Sequence, residues 1–162
     1  MLSILAGFLI GMGGIVYLTV GGPVGAVFFS LGLMTIITFK LELFTGKAGL
    51  LSTGEIKPMK LLEIWFGNFI GTGACALLVS MTPIVEKISP AAASIVELRT
   101  GQTALTNLIL GIFCGLLMYI AVAGFAKTNN SLFVIGPVAF FILCGFNHCV
   151  ADMFYTFLAA DN

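Results

Sequence analysis

Five long apolar runs, separated by short segments that carry most of the charge, decide what this chain can fold into. A helix crossing a hydrocarbon core about 30 Å thick needs about 20 apolar residues. Residues 2–20 carry no charge and end at the turn signal Gly21-Gly22-Pro23. The second run, 24–52, stays uncharged to Phe39 and then meets Lys40, Glu42 and Lys47, which predicts a break near 40–46. The third, 61–81, carries Glu63 near its start, the fourth spans 101–126, and the fifth, 131–160, holds His148 and Asp152. Every backbone polar group in lipid must find a partner within the protein, so only helices or closed barrels cross. The runs show no period-2 alternation, and the expectation is a single transmembrane domain over 1–162, an all-α bundle with broken second and fifth helices.

Composition supports the same class. Charged residues make up 9% of the chain, against roughly 25% in a soluble domain. A net charge of zero with no basic cluster leaves nothing to neutralise a phosphate backbone, which excludes nucleic acid as a partner. Cys75, Cys114, Cys144 and Cys149 lie in apolar stretches without a CxxC, as small fillers rather than a disulfide or zinc framework. The first 20 residues carry no Lys or Arg and no AxA-like site, so they read as a retained span rather than a signal peptide. Lys57, Lys60 and Lys127 fall on one side, Lys87 and Arg99 on the other, weighting the N-terminus toward the cytoplasm.

Two segments carry the chemistry. Lys40-Leu41-Glu42-Leu43-Phe44-Thr45-Gly46-Lys47 places three charges in a stretch flanked by apolar residues, where a charge facing lipid costs at least about 2.5 kcal/mol. The backbone there is expected to leave the helix, with Thr45-Gly46 as the turn. The alternative is that the span ends at Phe39 and the charges sit in interfacial water. In the fifth run His148, the one histidine of the sequence, and Asp152 are spaced i, i+4, so one helical face would let the carboxylate orient the ring. The alternative is a histidine at a helix end facing the headgroups. One histidine is too few for a metal or bis-His haem site, and His148 and the adjacent Cys149 would not face each other on a helix, which leaves no cofactor and no enzyme chemistry to assign. Gly67-Asn68-Phe69-Ile70-Gly71 is a small-xxx-small pattern that lets helices approach closely.

A faint repeat links Gly7-x-x-x-Gly11 before Tyr17-Leu18-Thr19-Val20 to Gly111-x-x-x-Gly115 before Tyr119-Ile120-Ala121-Val122. Three spans read twice, the second copy inverted, is the plan of many transporters. On that plan a partner of span 3 would follow Asn162, so the expectation is a fragment, or a sixth position left empty or filled by another chain.

Together these segments resemble the formate/nitrite transporter family: Leu5-Ala6-Gly7-Phe8 with Gly11, Phe29 to Leu33 through Glu42 to Gly46, Gly67 to Gly71, Gly111 to Val122, and Gly145-Phe146-Asn147-His148 to Met153-Phe154. The resemblance implies a six-helix, aquaporin-like protomer assembled as a homopentamer in a cell membrane, the bacterial inner membrane. Each protomer would have its own pore for a small monovalent anion such as formate, nitrite or hydrosulfide. It implies that Thr45 and His148 meet at mid-membrane, flanked by apolar rings at Leu33, Leu43, Phe44, Phe141, Met118 and Phe29, with Asn147 and Asp152 beside the pathway. Arg99 falls on the family's basic outer-vestibule position, and Lys40 would add a second vestibule cation. The chain departs from the family pattern at Asn147, Asp152 and Gly115, and at Lys40, where a small residue is common.

The expected function is a channel or transporter for weak-acid anions. A bare charge in an apolar constriction is far costlier than its neutral conjugate acid, so desolvation drives protonation of the anion, and His148 would assist proton transfer while Thr45 holds the ligand. Anion and proton are the expected partners, along with the lipid bilayer. The competing reading is a non-transporting structural subunit or an inactive pore fragment, in which Lys40, Glu42 and Asp152 form structural ion pairs.

Overall fold

The computed structural model describes residues 1–160, which form eight α-helices and one 3-10 turn. Helix α1 (Leu2–Val20) turns into α2 (Gly22–Thr38) through Gly21 and Gly22, both left-handed at φ 71° and 55°. A short α3 (Phe44–Lys47) leads into the 3-10 turn Ala48–Leu51, and α4 (Pro58–Ser80) follows. Then come α5 (Ile84–Gly101), α6 (Ala104–Thr128), α7 (Leu132–Leu143) and α8 (Cys149–Ala159). Helices α1, α4 and α6 are long and apolar enough to cross a membrane, while α2, α7 and α8 are shorter apolar helices. The chain is thus an all-helical, multi-pass membrane protein.

The two expected breaks are both present, and both begin with the same helix-ending motif. After α2, Leu41 N–H donates to Ile36 O at 2.9 Å and Lys40 N–H to Ile37 O at 3.1 Å. After α7, Phe146 N–H donates to Phe141 O at 2.9 Å and Gly145 N–H to Ile142 O at 3.1 Å. These paired bonds are the Schellman closure, whose penultimate residue adopts a left-handed backbone. Gly145 takes that position at φ 70° without strain, whereas Lys40 takes it at φ 51° with a side chain that costs roughly 1 kcal/mol. Three residues on, Leu43 and His148 become the N-caps of α3 and α8.

Two details correct the sequence reading. Thr45 and Gly46 lie inside α3 rather than forming the turn, because the chain reverses earlier, at 39–43. The segment between the third and fourth runs, taken there as a connection bearing Lys87 and Arg99, is an 18-residue helix, α5, with Pro90 inside it. Its mixed polarity hid it, since only Ile88, Ser89 and Ala92 are buried; it packs mainly against α8, and Ser89 Oγ donates to Leu158 O at 3.1 Å.

Glycines set the closest seam. A Cβ on Gly71 would strike Ile4 O, one on Gly7 would strike the backbone of Asn68, and one on Gly11 would lie 2.7 Å from Cys75 Sγ. The backbones of α1 and α4 therefore touch, as small-residue pairs allow where lipid supplies no hydrophobic drive for association. The repeat partners behave differently. Gly111 and Gly115 of α6 have no atom within 4 Å of a built Cβ, and neighbouring Leu108, Ile112 and Leu116 are all exposed.

Gly71→Ala should therefore lower the thermal unfolding temperature in detergent by an amount equivalent to about 1–3 kcal/mol. Gly115→Ala should leave it unchanged or raise it slightly, since Ala is the better helix former. Equal shifts for the two variants would refute the contrast between a filled and an open glycine seam.

Candidate functional site

The site forms where the two breaks meet, and each break is held by one polar side chain from a neighbouring helix. At the first, the fully buried Asn68 of α4 accepts from Phe44 N–H through Oδ1 at 2.8 Å. Its Nδ2 donates to Ser3 O at 2.7 Å and to Glu42 O at 2.9 Å. Asn68 thereby satisfies the first N–H of α3 and ties the break to the start of α1. The sequence reading placed Asn68 only within a packing motif; the signal that it does more is a lone amide deep in an apolar span.

At the second break, Arg99 of α5 reaches into the α7–α8 linker. Its Nη1 donates to Gly145 O at 2.7 Å and its Nη2 to Phe146 O at 3.3 Å, while Nε lies 3.7 Å from Asp152 Oδ1. Asn107 Nδ2 donates to Arg99 O at 3.0 Å, and Asn147 Nδ2 donates to Asn107 Oδ1 at 2.7 Å. Arg99 lines two cavities, and its guanidinium is committed to carbonyls and to Asp152. Asn147 serves the same network, and Asn107 is a member that sequence reasoning missed.

Between the breaks sits His148, 2% exposed. Its Nδ1 accepts from Ala151 N–H at 3.1 Å, capping α8, and its Nε2 lies 2.9 Å from Thr45 Oγ1. Because a backbone N–H can only donate, Nδ1 must present a lone pair. The ring proton is then on Nε2, so Nε2–H donates to Thr45 Oγ1. The Thr45 hydroxyl is left with its own proton to direct elsewhere. Phe141 stacks on the ring at 5.2 Å and 20°.

The expected i, i+4 partnership of His148 with Asp152 is not what the structure contains. His148 is the N-cap of α8 rather than a residue within it, and its ring nitrogens meet Ala151 N–H and Thr45 Oγ1. Asp152 meets Arg99 instead, and Asp152 N–H donates to His148 O at 2.9 Å.

Two cavities lie beside this centre, one on the side of His148 and one beside Leu33 and Leu43. Tyr17, which packs on Gly25 near the start of α2, helps line a cavity of about 150 Å³ with Arg99, Asp152, Phe141 and His148. Lys40, Lys47, Gly46, Leu33, Leu43 and Val122 line the other, of about 230 Å³. Leu33, Leu43, Phe29, Phe141 and Met118 are each at most 3% exposed, and Phe29 meets Phe141 edge-on at 6.0 Å. Phe44 is half-buried against the same core. A wider groove of about 700 Å³ runs between α4, α8 and α6, beside the open face of Gly111.

The ion pair that the competing reading gives Lys40 is absent among the described residues. Glu42 Oε1 pairs with Lys47 at 3.2 Å and Glu42 Oε2 with Lys60 at 3.5 Å, and the exposed Lys40 joins neither Glu42 nor Asp152.

Comparison with known proteins places this geometry. The family model described as formate/nitrite transporter matches residues 1–161. The formate channel FocA of Haemophilus influenzae is 28% identical over 153 residues, covering 81% of this chain and 51% of that protein. FocA of Escherichia coli K12 is 25% identical over 147 residues with the same coverage. The chain spans about half the length of these curated relatives. Among solved structures, a pentameric formate channel with formate bound superposes with a TM-score of 0.84 at 26% identity, over 99% of this chain and 73% of that one. An FNT family ion channel gives a TM-score of 0.80 at 26% identity, over 98% and 72%.

Asn68→Asp keeps the acceptor for Phe44 N–H but strips the donors to Ser3 O and Glu42 O, and sets a charge in a buried site. It should cost about 3 kcal/mol or more and lower the yield of folded protein from detergent extracts. A normal yield and unfolding temperature would show that Asn68 does not hold the break.

Proposed function

Because the chain belongs to the formate/nitrite transporter family, we propose that it provides a pathway for small monovalent weak-acid anions, with His148 and Thr45 at its polar centre. The observation that carries this reading is the buried Thr45 Oγ1–His148 Nε2 contact at 2.9 Å, with apolar side chains around it, one cavity lined by His148 and another by Leu33 and Leu43. The relatives named as formate channels support formate as the first substrate to test, with nitrite and hydrosulfide as chemical kin. The pentameric neighbour supports a homo-oligomer, and a bacterial inner membrane is the setting we assign.

The chemistry follows from desolvation. A formate ion entering the passage between Leu33, Leu43 and Phe141 loses water, and its neutral acid crosses at far lower cost. The Thr45 hydroxyl, already accepting from His148, donates its proton toward the ligand. In the relay we assign, a proton enters at Nδ1 from the cavity His148 lines, displacing the Ala151 N–H. The Nε2 proton passes to Thr45 Oγ1, and the hydroxyl proton passes to the anion. The ring ends neutral in its other tautomer, and the steps reverse when the acid gives its proton up. Capping and relay thus compete for the same Nδ1 lone pair.

In the competing structural-subunit reading Lys40, Glu42 and Asp152 form structural ion pairs, and Glu42, with Lys47 and Lys60, and Asp152, with Arg99, do so. Lys40 is in no such pair among the described residues, and the likeness to formate channels favours transport over a purely structural role.

His148→Asn keeps a good N-cap acceptor for α8 but cannot carry a proton through two ring nitrogens. Formate uptake into proteoliposomes should fall about tenfold or more, with its pH dependence flattened, at normal protein yield. An unchanged pH profile would remove His148 from the mechanism.

Leu33→Ala and Phe141→Ala should each admit larger monocarboxylates relative to formate, at a stability cost of about 2–5 kcal/mol. Selectivity equal to that of the unsubstituted protein in both would reduce these side chains to bundle packing.

A further inference from the structure

The two breaks are built alike, and the place where they differ is Lys40. Both helices end in the same pair of closing hydrogen bonds, and the residue at the left-handed position is Gly145 in one and Lys40 in the other. Glycine adopts that backbone freely, and a lysine there is strained. Strained residues of this kind persist where the surrounding structure over-determines them and often where they serve a function. A side chain has been placed where the repeat shows that none is required.

The surroundings of that side chain give its chemistry. Lys47 and Lys60 share Glu42, at 3.2 Å and 3.5 Å, but the Lys40 side chain has no hydrogen bond or ion pair among the described residues. It lines the 230 Å³ cavity together with Lys47, Gly46 and the buried Leu33 and Leu43. Water occupies about 30 Å³ per molecule, so this space holds a small anion with several waters still attached. At the opposite end the corresponding cation, Arg99, is spent on Gly145 O, Phe146 O and Asp152. Lysine suits a transient dock better than arginine would, being a hydrated point charge without a bidentate fork.

We propose that Lys40 is a docking residue for small monovalent anions at the mouth beside Leu33 and Leu43, holding the hydrated ion before it is stripped of water. This role rests on the transport reading above. It makes the two mouths unequal: one captures by an uncommitted charge, and the other uses its charge to hold the backbone of the break. One unit charge at about 6 Å raises local anion occupancy about threefold in water and about tenfold where the low-dielectric walls halve the effective screening.

The experiment compares initial formate uptake by the purified protein in liposomes, at subsaturating formate and two ionic strengths, for the unsubstituted chain, Lys40→Gly, Lys40→Asn and Lys40→Arg. Glycine and asparagine both tolerate the left-handed backbone, so at least one neutral variant keeps the fold. The expected result is a three- to tenfold loss of rate for both neutral variants at low salt, with the saturated rate retained. Lys40→Arg should restore the rate, and high salt should bring all four together. Neutral variants with the rate and salt dependence of the unsubstituted chain would overturn the docking role alone. Absence of uptake by the unsubstituted protein above empty liposomes would overturn the transport reading, and the docking role with it.

Discussion

A helix broken inside a membrane leaves backbone N–H and C=O groups with no water to turn to, and the arrangement of this protein answers that demand twice. Asn68 supplies one acceptor and two donors to the first break. Arg99 supplies two donors to the carbonyls of the second. Each side chain arrives from a helix outside the broken pair, α4 or α5, so neither break is held by its own strand of chain. The left-handed closures at Lys40 and Gly145 use the carbonyls that remain. With these groups satisfied, the two N-caps, Leu43 and His148, are held in fixed places, and Thr45 comes within hydrogen-bond reach of the ring.

The pairing that results has a direction. The Ala151 N–H fixes Nδ1 as an acceptor, which puts the ring proton on Nε2 and makes Thr45 Oγ1 an acceptor toward the ring. The capping of α8 and the contact with Thr45 are therefore one arrangement seen from the two ring nitrogens. The same imidazole ends a helix, orients a hydroxyl and stacks against Phe141, a wall of the cavity it lines.

Much of this was legible in the amino-acid order, for physical reasons that also mark where legibility stops. Lys40, Glu42 and Lys47 announce the first break because lipid will not hold three charges in eight residues. His148, buried beyond a long apolar stretch, announces the polar centre in the same way. Its capping role was hidden, because an i, i+4 spacing to Asp152 describes neighbours only if both residues lie within a helix, and His148 lies just before one. Helix α5 was hidden by the opposite effect: it carries Glu86, Lys87, Glu97 and Arg99 on a helix that buries little of itself, so hydropathy reads it as a connection. The partners Asn68 and Asn107 stand far from the breaks in sequence, and nothing local says which carbonyl an amide will reach.

The repeated glycine spacing meets different surroundings in the two halves of the molecule. In the first half α1 brings Gly7 and Gly11 against α4, and the contact is so close that a single methyl would force the backbones apart. The second half presents the same glycine spacing on α6, at Gly111 and Gly115, with nothing against it among the described residues. The polar logic holds in both halves all the same, because the second break takes its clamp from α5, an element of the connection between the repeats. Arg99 is thus the reason a half with an open seam still positions its N-cap histidine. That service commits the Arg99 charge to the backbone of its break, whereas the Lys40 side chain at the first break pairs with no group among the described residues.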